Sequence, residues 1–208
     1  MNPEIIFRIL MFLAFIALFA VRVHFQREVL HDKQAIEVQE NALSLAAGAV
    51  AALTNLVFGA EYIFFRGAFR FSYLLPYPIW LRWLGAGLLA GGIWLLASAH
   101  HNLGKSFHSF VVSKEGQQLV RSGPYRWIRH PIYSAYLLSY LGGGLLSSNL
   151  VLTFVPLIFF SLMILNRIPR EEELMRREFG EDYQQLEKHT GRLLPKLLLT
   201  DRYIEEEG

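Results

Sequence analysis

Five long apolar runs separated by blocks of charge constrain this chain more than any other feature. They fall at about 5–23, 42–65, 79–99, 131–146 and 150–165. An α-helix needs about 20 apolar residues to cross a hydrocarbon layer about 30 Å thick, and each run approaches that length. Charged residues make up only 18% of the chain, against 53% hydrophobic. A soluble domain spreads its charges along every amphipathic face, whereas here they gather between the runs. The expected fold class is therefore all-α: a polytopic helical membrane protein of about five transmembrane helices, ending in a C-terminal helix. The first run contains Arg8, whose long side chain can snorkel to the interface. With no basic lead-in and no clean small-residue cleavage site, that run is expected to be an uncleaved span. The fourth and fifth runs are a little short and are joined by only Ser147-Ser148-Asn149. They are expected to form a tilted hairpin; a re-entrant pair, leaving three full spans, is the alternative. The chain is read as one membrane unit, with three spans in 1–99 and, in 100–208, a connecting loop, the hairpin and a tail helix.

Several function classes drop out early. A net charge of +2 with no basic stripe gives no footprint for nucleic acid. The absence of cysteine removes thiolate nucleophiles, disulfides and Cys-ligated metals. His100 and His101 are adjacent and cannot converge on one ion, and His108 falls in a loop, so no metal is expected. Gly85, Gly87, Gly91, Gly92 and Gly142-Gly143-Gly144 suit close helix approach. Gly85-x-Gly87 lies in an apolar helix rather than a strand-to-helix turn, so it is not a dinucleotide fingerprint. Basic residues weigh toward one side. Arg27, Lys33, Lys105, Lys114, Arg121, Arg126, Arg129 and the tail oppose mainly Arg66, Arg70 and Arg82. That asymmetry predicts an outside N-terminus and a cytoplasmic C-terminus.

Two polar clusters bracket the hairpin. The first, 119–133, carries a Ser122-Gly123-Pro124 turn followed by Arg129-His130-Pro131-x-Tyr133. Pro131 suits the first turn of a helix, which places His130 beside free backbone N–H groups that attract anions. Tyr125, Trp127 and Tyr133 fit either an interfacial aromatic belt or a binding site. The second cluster is Arg167-Ile168-Pro169-Arg170-Glu171-Glu172-Glu173. Pro169 and the glutamates suit a helix start, so a tail helix is expected from there, with an apolar stripe of Leu174, Met175, Phe179, Tyr183 and Leu186. Glu172 and Glu173 can pair with Arg176 and Arg177 on a solvated face. Glu171 then lies along the stripe and is the carboxylate expected to be buried. A salt bridge to Arg167 and a ligand contact are both open for it.

At these residues the chain resembles the isoprenylcysteine carboxyl methyltransferase family and the wider group of membrane methyltransferases that includes phospholipid N-methyltransferases. The resemblance runs from about 103 to 196. It takes in Leu103-Gly104-Lys105, Leu119-Val120, Gly123-Pro124-Tyr125, Arg129-His130-Pro131-x-Tyr133, 167–173, 178–183 and Thr190-Gly191-Arg192-Leu193-x-Pro195. It implies S-adenosylmethionine-dependent methyl transfer at the cytoplasmic membrane surface to a lipidic acceptor, without a Rossmann domain. By position, it implies that Gln117, Gln118, Leu119 and Val120 line the adenine and ribose. Tyr125, His130 and Tyr133 would contact the rest of the cofactor, Glu171 its polar end, and Arg167 the acceptor's carboxylate. Carboxyl methylation of an isoprenylcysteine-like acid is the leading expectation, with Arg167 and Glu171 as the catalytic pair. N-methylation of a phospholipid or amphiphilic amine is the alternative. A non-catalytic lipid-binding protein and a sterol-reductase-like enzyme using a nicotinamide cofactor are the further ones.

Overall fold

The computed structural model describes residues 2–30, 42–103 and 119–196. These residues form α1 (Pro3–Leu30), α2 (Ala42–Phe64), α3 (Ile79–Leu103), α4 (Pro131–Ser147) and α5 (Leu150–His189). Short 3-10 helices lie at Arg70–Tyr73 and Gly123–Arg126. Helices α1, α2, α3 and α5 are each long and apolar enough to cross a membrane, and the protein is an integral, multi-pass membrane protein. Of the five apolar runs, the fourth gives the shortest helix: the 17 residues of α4 extend about 26 Å at 1.5 Å per residue.

Contacts with α3 fix the depth of α4. Arg82, in the first turn of α3, donates from Nε to the Leu146 carbonyl at the far end of α4, at 2.9 Å. At the other end, Leu103 shares a small core with Tyr125, and Ile132 of the first α4 turn packs against it. The two helices therefore run antiparallel side by side over the length of α4. Its tip is built from three buried residues. Ser148 adopts a left-handed conformation, φ 55°, and Asn149 caps α5 by accepting from the Leu152 N–H at 3.0 Å. Asn149 Nδ2 donates to Ser72 Oγ at 2.9 Å and the Tyr77 N–H to Ser148 Oγ at 2.8 Å. The α2–α3 connection thus folds over the tip. At the same end, Glu4 of α1 meets Arg82 at 2.8 Å, Arg66 at 3.1 Å and the Tyr62 hydroxyl at 2.8 Å, fastening α1, α2 and α3 together.

Glycine makes the α3–α4 seam close. A Cβ on Gly142 would lie 2.4 Å from the Leu89 nitrogen and 2.7 Å from the Gly85 carbonyl oxygen. Gly85, Gly92 and Gly144 are equally confined, whereas Gly87 and Gly91 face open space and play no part in the approach. Gly142→Val is therefore expected to force the helices apart, at a cost of about 1–3 kcal/mol. Gly91→Ala should be neutral or slightly stabilising. Thermal unfolding in detergent, run on both variants, separates the outcomes.

The tail helix departs from expectation. It does not begin at Pro169 but continues the fifth apolar run without a break, so that α5 is a single 40-residue element with Pro156 and Pro169 inside it. Its bend comes later, at Gly180, where φ is 51°. The portion within 150–165 is apolar enough for hydrocarbon, and from Arg167 onward the helix carries its charges outside that layer.

Candidate active site

Continuity of α5 decides which glutamate is buried. Phe160, Ile164 and Ile168 are all buried at intervals of four, and the next residue on that line is Glu172, with no exposed surface at all. Glu171 sits one position round, partly exposed, and Leu174 of the expected stripe is exposed. The expectation that Glu171 is the buried carboxylate and Glu172 a solvated one is therefore inverted. The anticipated Glu172–Arg176 pair is loose, at 3.7 Å, while Glu173–Arg177 closes at 3.0 Å on the surface.

Glu172 is the hub of a dense ionic cluster. Arg129 Nε donates to its Oε1 at 3.0 Å, His130 Nε2 lies 3.4 Å from the same oxygen, and Arg192 Nη2 approaches Oε2 at 2.8 Å. Burial opposes ionisation of this carboxyl, but bonds from His130 and Arg129, the Arg129 charge and Arg192 outweigh it and hold the group down at about 2. Arg129 also donates to the Thr190 carbonyl. The residues after α5 then run back along the first cluster. The Gly191 N–H donates to the Trp127 carbonyl at 3.1 Å, the Arg129 N–H to Gly191 at 2.8 Å and the His130 N–H to Arg192 at 3.0 Å. Segment 190–195 is thus a strap that clamps α5 to the turn preceding α4. Arg129, Glu172, Arg192 and the strap were absent from the sequence-derived set of site residues.

Glu171 forms the open edge of the same cluster. Its Oε1 accepts from the Tyr133 hydroxyl at 2.6 Å and from Arg167 Nε at 2.6 Å, and its Oε2 lies 3.5 Å from His130 Nδ1. His130 thus has a carboxylate near each ring nitrogen. The ring also stacks on Tyr133 with centroids 5.6 Å apart. The i, i+4 pairing of Arg167 with Glu171 forms across Pro169 despite the missing N–H.

Beside this edge lies an apolar shelf of Ala99, Leu103 and Tyr125, against which Val120 and Ile132 pack. Burial, together with the charge of Glu171 nearby, pushes the Tyr125 phenol up from its ordinary value. Gly123 turns the chain here with φ 55°, and a Cβ on it would lie 2.3 Å from the Asn102 amide. Of the residues expected from sequence, the structure brings together Tyr125, His130, Tyr133, Arg167 and Glu171, with Val120 on the shelf, while Leu119 is half-buried just before it in the chain. Gln117 and Gln118 lie outside the described residues. Among the described residues no cluster of His, Asp and Glu is arranged to hold a metal.

The donor set fits S-adenosylmethionine. A partly exposed carboxylate suits its ammonium group, and an apolar shelf suits its purine. Nε2 of His130 is buried without an aligned hydrogen bond among the described residues.

A helical membrane unit carrying an ionic cluster at one end of its spans has counterparts among known proteins. The phospholipid methyltransferase family model matches residues 80–182. The protein-S-isoprenylcysteine O-methyltransferase of Schizosaccharomyces pombe is 34% identical over 115 residues, which cover 52% of this chain and 47% of the yeast protein. The nickel-cobalt-cadmium resistance protein NccN of Alcaligenes xylosoxydans xylosoxydans is 28% identical over 118 residues, covering 56% and 54%. In fold, the chain matches the solved structure of the eukaryotic intramembrane Ras methyltransferase ICMT with a TM-score of 0.51 and 20% identity, over 74% of this chain and 50% of that one. Over this part of the chain the sequence is thus similar to phospholipid methyltransferases and to protein-S-isoprenylcysteine O-methyltransferases. It spans about half the length of the first curated relatives it matches.

Proposed function

We propose that this chain transfers a methyl group from S-adenosylmethionine to the carboxylate of a lipidic, isoprenylcysteine-like acid at the cytoplasmic face of a membrane. The observation that carries the reading is Glu171: a carboxylate outside the hydrocarbon layer, held by Tyr133, Arg167 and His130, beside an apolar shelf. The relatives named for isoprenylcysteine O-methylation support the acceptor class. The excess of basic residues in the 24–41 and 100–130 segments and the tail supports an outside N-terminus and a cytoplasmic site.

Val120, Leu119 and Tyr125 would flank the cofactor's adenine and ribose together with Gln117 and Gln118. His130, Tyr133 and Glu171 would hold its amino-acid end. Bound there, S-adenosylmethionine supplies an electrophilic methyl on a sulfonium. The acceptor needs no base, because a carboxyl with an ordinary value of about 4 is ionised at neutral pH. The ionised carboxylate would take that methyl without any proton having to be moved by the protein. The protein's contribution is placement and exclusion of water. Arg167 orients the carboxylate through its guanidinium, and Glu171, bonded to Arg167 Nε, fixes the direction in which that guanidinium points. The buried Arg129–Glu172–Arg192 cluster acts through His130 and the strap, as positioning residues.

The test is transfer of labelled methyl from S-adenosylmethionine to prenylcysteine acids and to lipid extracts. Absence of transfer to every acid overturns the reading. The family model's own description, phospholipid methyltransferase, favours one second reading, N-methylation of an amine headgroup. An amine must first lose a proton, so its methylation rises with pH through the amine's titration, while carboxylate methylation is flat above about pH 5.

A further inference from the structure

A groove at the end of the bundle opposite Glu171 takes no part in the chemistry above. It runs between the first half of α1 and the last turn of α2, with a volume of about 310 Å³. Ile5, Ile9, Phe12, Ile63 and Phe64 line it, together with Arg8. Ile5, Ile9, Phe12 and Phe64 are all exposed, so the groove opens outward to lipid rather than into the bundle.

Arg8 is the residue that hydropathy does not explain. Its Nε donates to the Ile63 carbonyl at 2.8 Å, and its Nη2 donates to the same oxygen. That carbonyl belongs to the last turn of α2, where C=O groups lack partners within the helix. One carbonyl takes only part of a guanidinium's fork of donors, and no carboxylate among the described residues pairs with Arg8. The acids nearby are engaged. Glu4 holds Arg66 and Arg82 at 3.1 and 2.8 Å. Glu61 accepts from the Gly67 N–H at 2.8 Å and from the Tyr73 hydroxyl. Arg70 is exposed on the α2–α3 connection, so cations exceed carboxylates at this end.

We propose that this groove binds one anionic phospholipid, with an acyl chain along its apolar wall and the phosphate completing the Arg8 fork. A cation at the hydrocarbon boundary is costly without a counter-charge, and basic pockets between membrane helices hold anionic headgroups. Phosphate oxygens match the planar guanidinium. A zwitterionic lipid offers the same phosphate but brings a second cation beside Arg66 and Arg70, so the net-anionic lipid is preferred. This lipid is not the methyl acceptor: it lies at the other end of the spans, and the site does not depend on the methyltransferase reading. The bland alternative is an Arg8 that only caps α2, above a groove filled by any lipid chain.

The experiment titrates wild type, Arg8→Gln, Arg8→Lys, Ile9→Trp and Arg70→Gln in detergent with dioleoylphosphatidylglycerol and dioleoylphosphatidylcholine. Bound lipid is counted by native mass spectrometry. Wild type should retain phosphatidylglycerol about 10-fold more tightly, the effect of one charge-assisted contact. Arg8→Gln should lose that preference and Arg8→Lys should keep most of it. Ile9→Trp, which fills the groove and leaves the Arg8–Ile63 bond in place, should weaken retention of phosphatidylglycerol. Arg70→Gln should behave as wild type, because Arg70 does not line the groove. An unchanged preference in Arg8→Gln, or an equal loss in Arg70→Gln, overturns the proposal. Competition by glycerol 3-phosphate as effective as by the intact lipid also overturns it, since the site would then be one for free phosphate. Thermal unfolding gives a second measurement. Phosphatidylglycerol should raise the wild-type midpoint by more than phosphatidylcholine does, and Arg8→Gln should abolish that difference. An Arg8 that serves only as a cap lowers the midpoint equally in both lipids, which overturns the proposal.

Discussion

Glu172→Leu is expected to be the most damaging single substitution outside the membrane spans, lowering stability by about 3–5 kcal/mol. The carboxylate has no exposed surface and serves Arg129, His130 and Arg192 at once. Its removal leaves two guanidinium groups without their shared anion, and Arg129 itself is almost fully buried. Loss on this scale appears as a large fall in the thermal midpoint in detergent. A second change separates the uncompensated charge from lost packing. Adding Arg129→Met to Glu172→Leu removes the stranded cation and should recover part of the loss, which a double-mutant cycle measures. The pH dependence has a definite sign. Because the folded carboxyl is held at about 2 against an ordinary 4.5, its contribution is complete above about 4.5 and disappears as pH falls toward 2. Glu172→Gln should flatten acid unfolding through that window. Unchanged acid sensitivity in this variant contradicts the assignment.

Arg167→Ala and Glu171→Ala are each expected to reduce methyl transfer by about 10²–10³-fold, the range for removing a positioned, charge-assisted contact near reacting atoms. The two should fail differently. Glu171→Ala deletes the acceptor of Tyr133, Arg167 and His130 bonds, so it should weaken S-adenosylmethionine binding as read by calorimetry. Arg167→Ala should leave cofactor binding largely intact and raise the acceptor's KM. Neither substitution removes a fully buried side chain, so thermal midpoints should move far less than in Glu172→Leu. Normal transfer by either variant removes that residue from the proposed machinery.

The span layout was legible because hydropathy alone encodes it. The first three runs became α1, α2 and α3; α2 matches its run to within a residue, while α1 and α3 continue beyond theirs to Leu30 and Leu103. The hairpin turn at Ser147-Ser148-Asn149 was equally plain, since three small polar residues between apolar runs leave one solution. The glycines were half legible. Composition marks them as permissive, but whether one faces another helix depends on rotation about the axis, which separated Gly142 from Gly91. The identity of the buried glutamate was misread for a specific reason. Treating Pro169 as a helix start resets the helical phase and puts Glu171 on the apolar line. Carrying the phase through from Phe160, Ile164 and Ile168 lands on Glu172. Proline at that position lacks one N–H, yet helical backbone continues through it as far as Gly180. Arg129 and Arg192 gave no signal, because their meaning arises only when the strap folds back over the α4 start.

One continuous α5 also acts as a ruler. From Asn149 at the hairpin tip to Glu171 is about 33 Å along the axis at 1.5 Å per residue, close to the thickness of a hydrocarbon core. The distance from the hairpin tip to the cluster is therefore set by counting residues along one helix. Inserting or deleting one residue between 157 and 166 would shift Glu171 and Glu172 by about 1.5 Å and turn them about 100°. An enzyme mounted on a loop tolerates such a change; one graduated along a single helix does not.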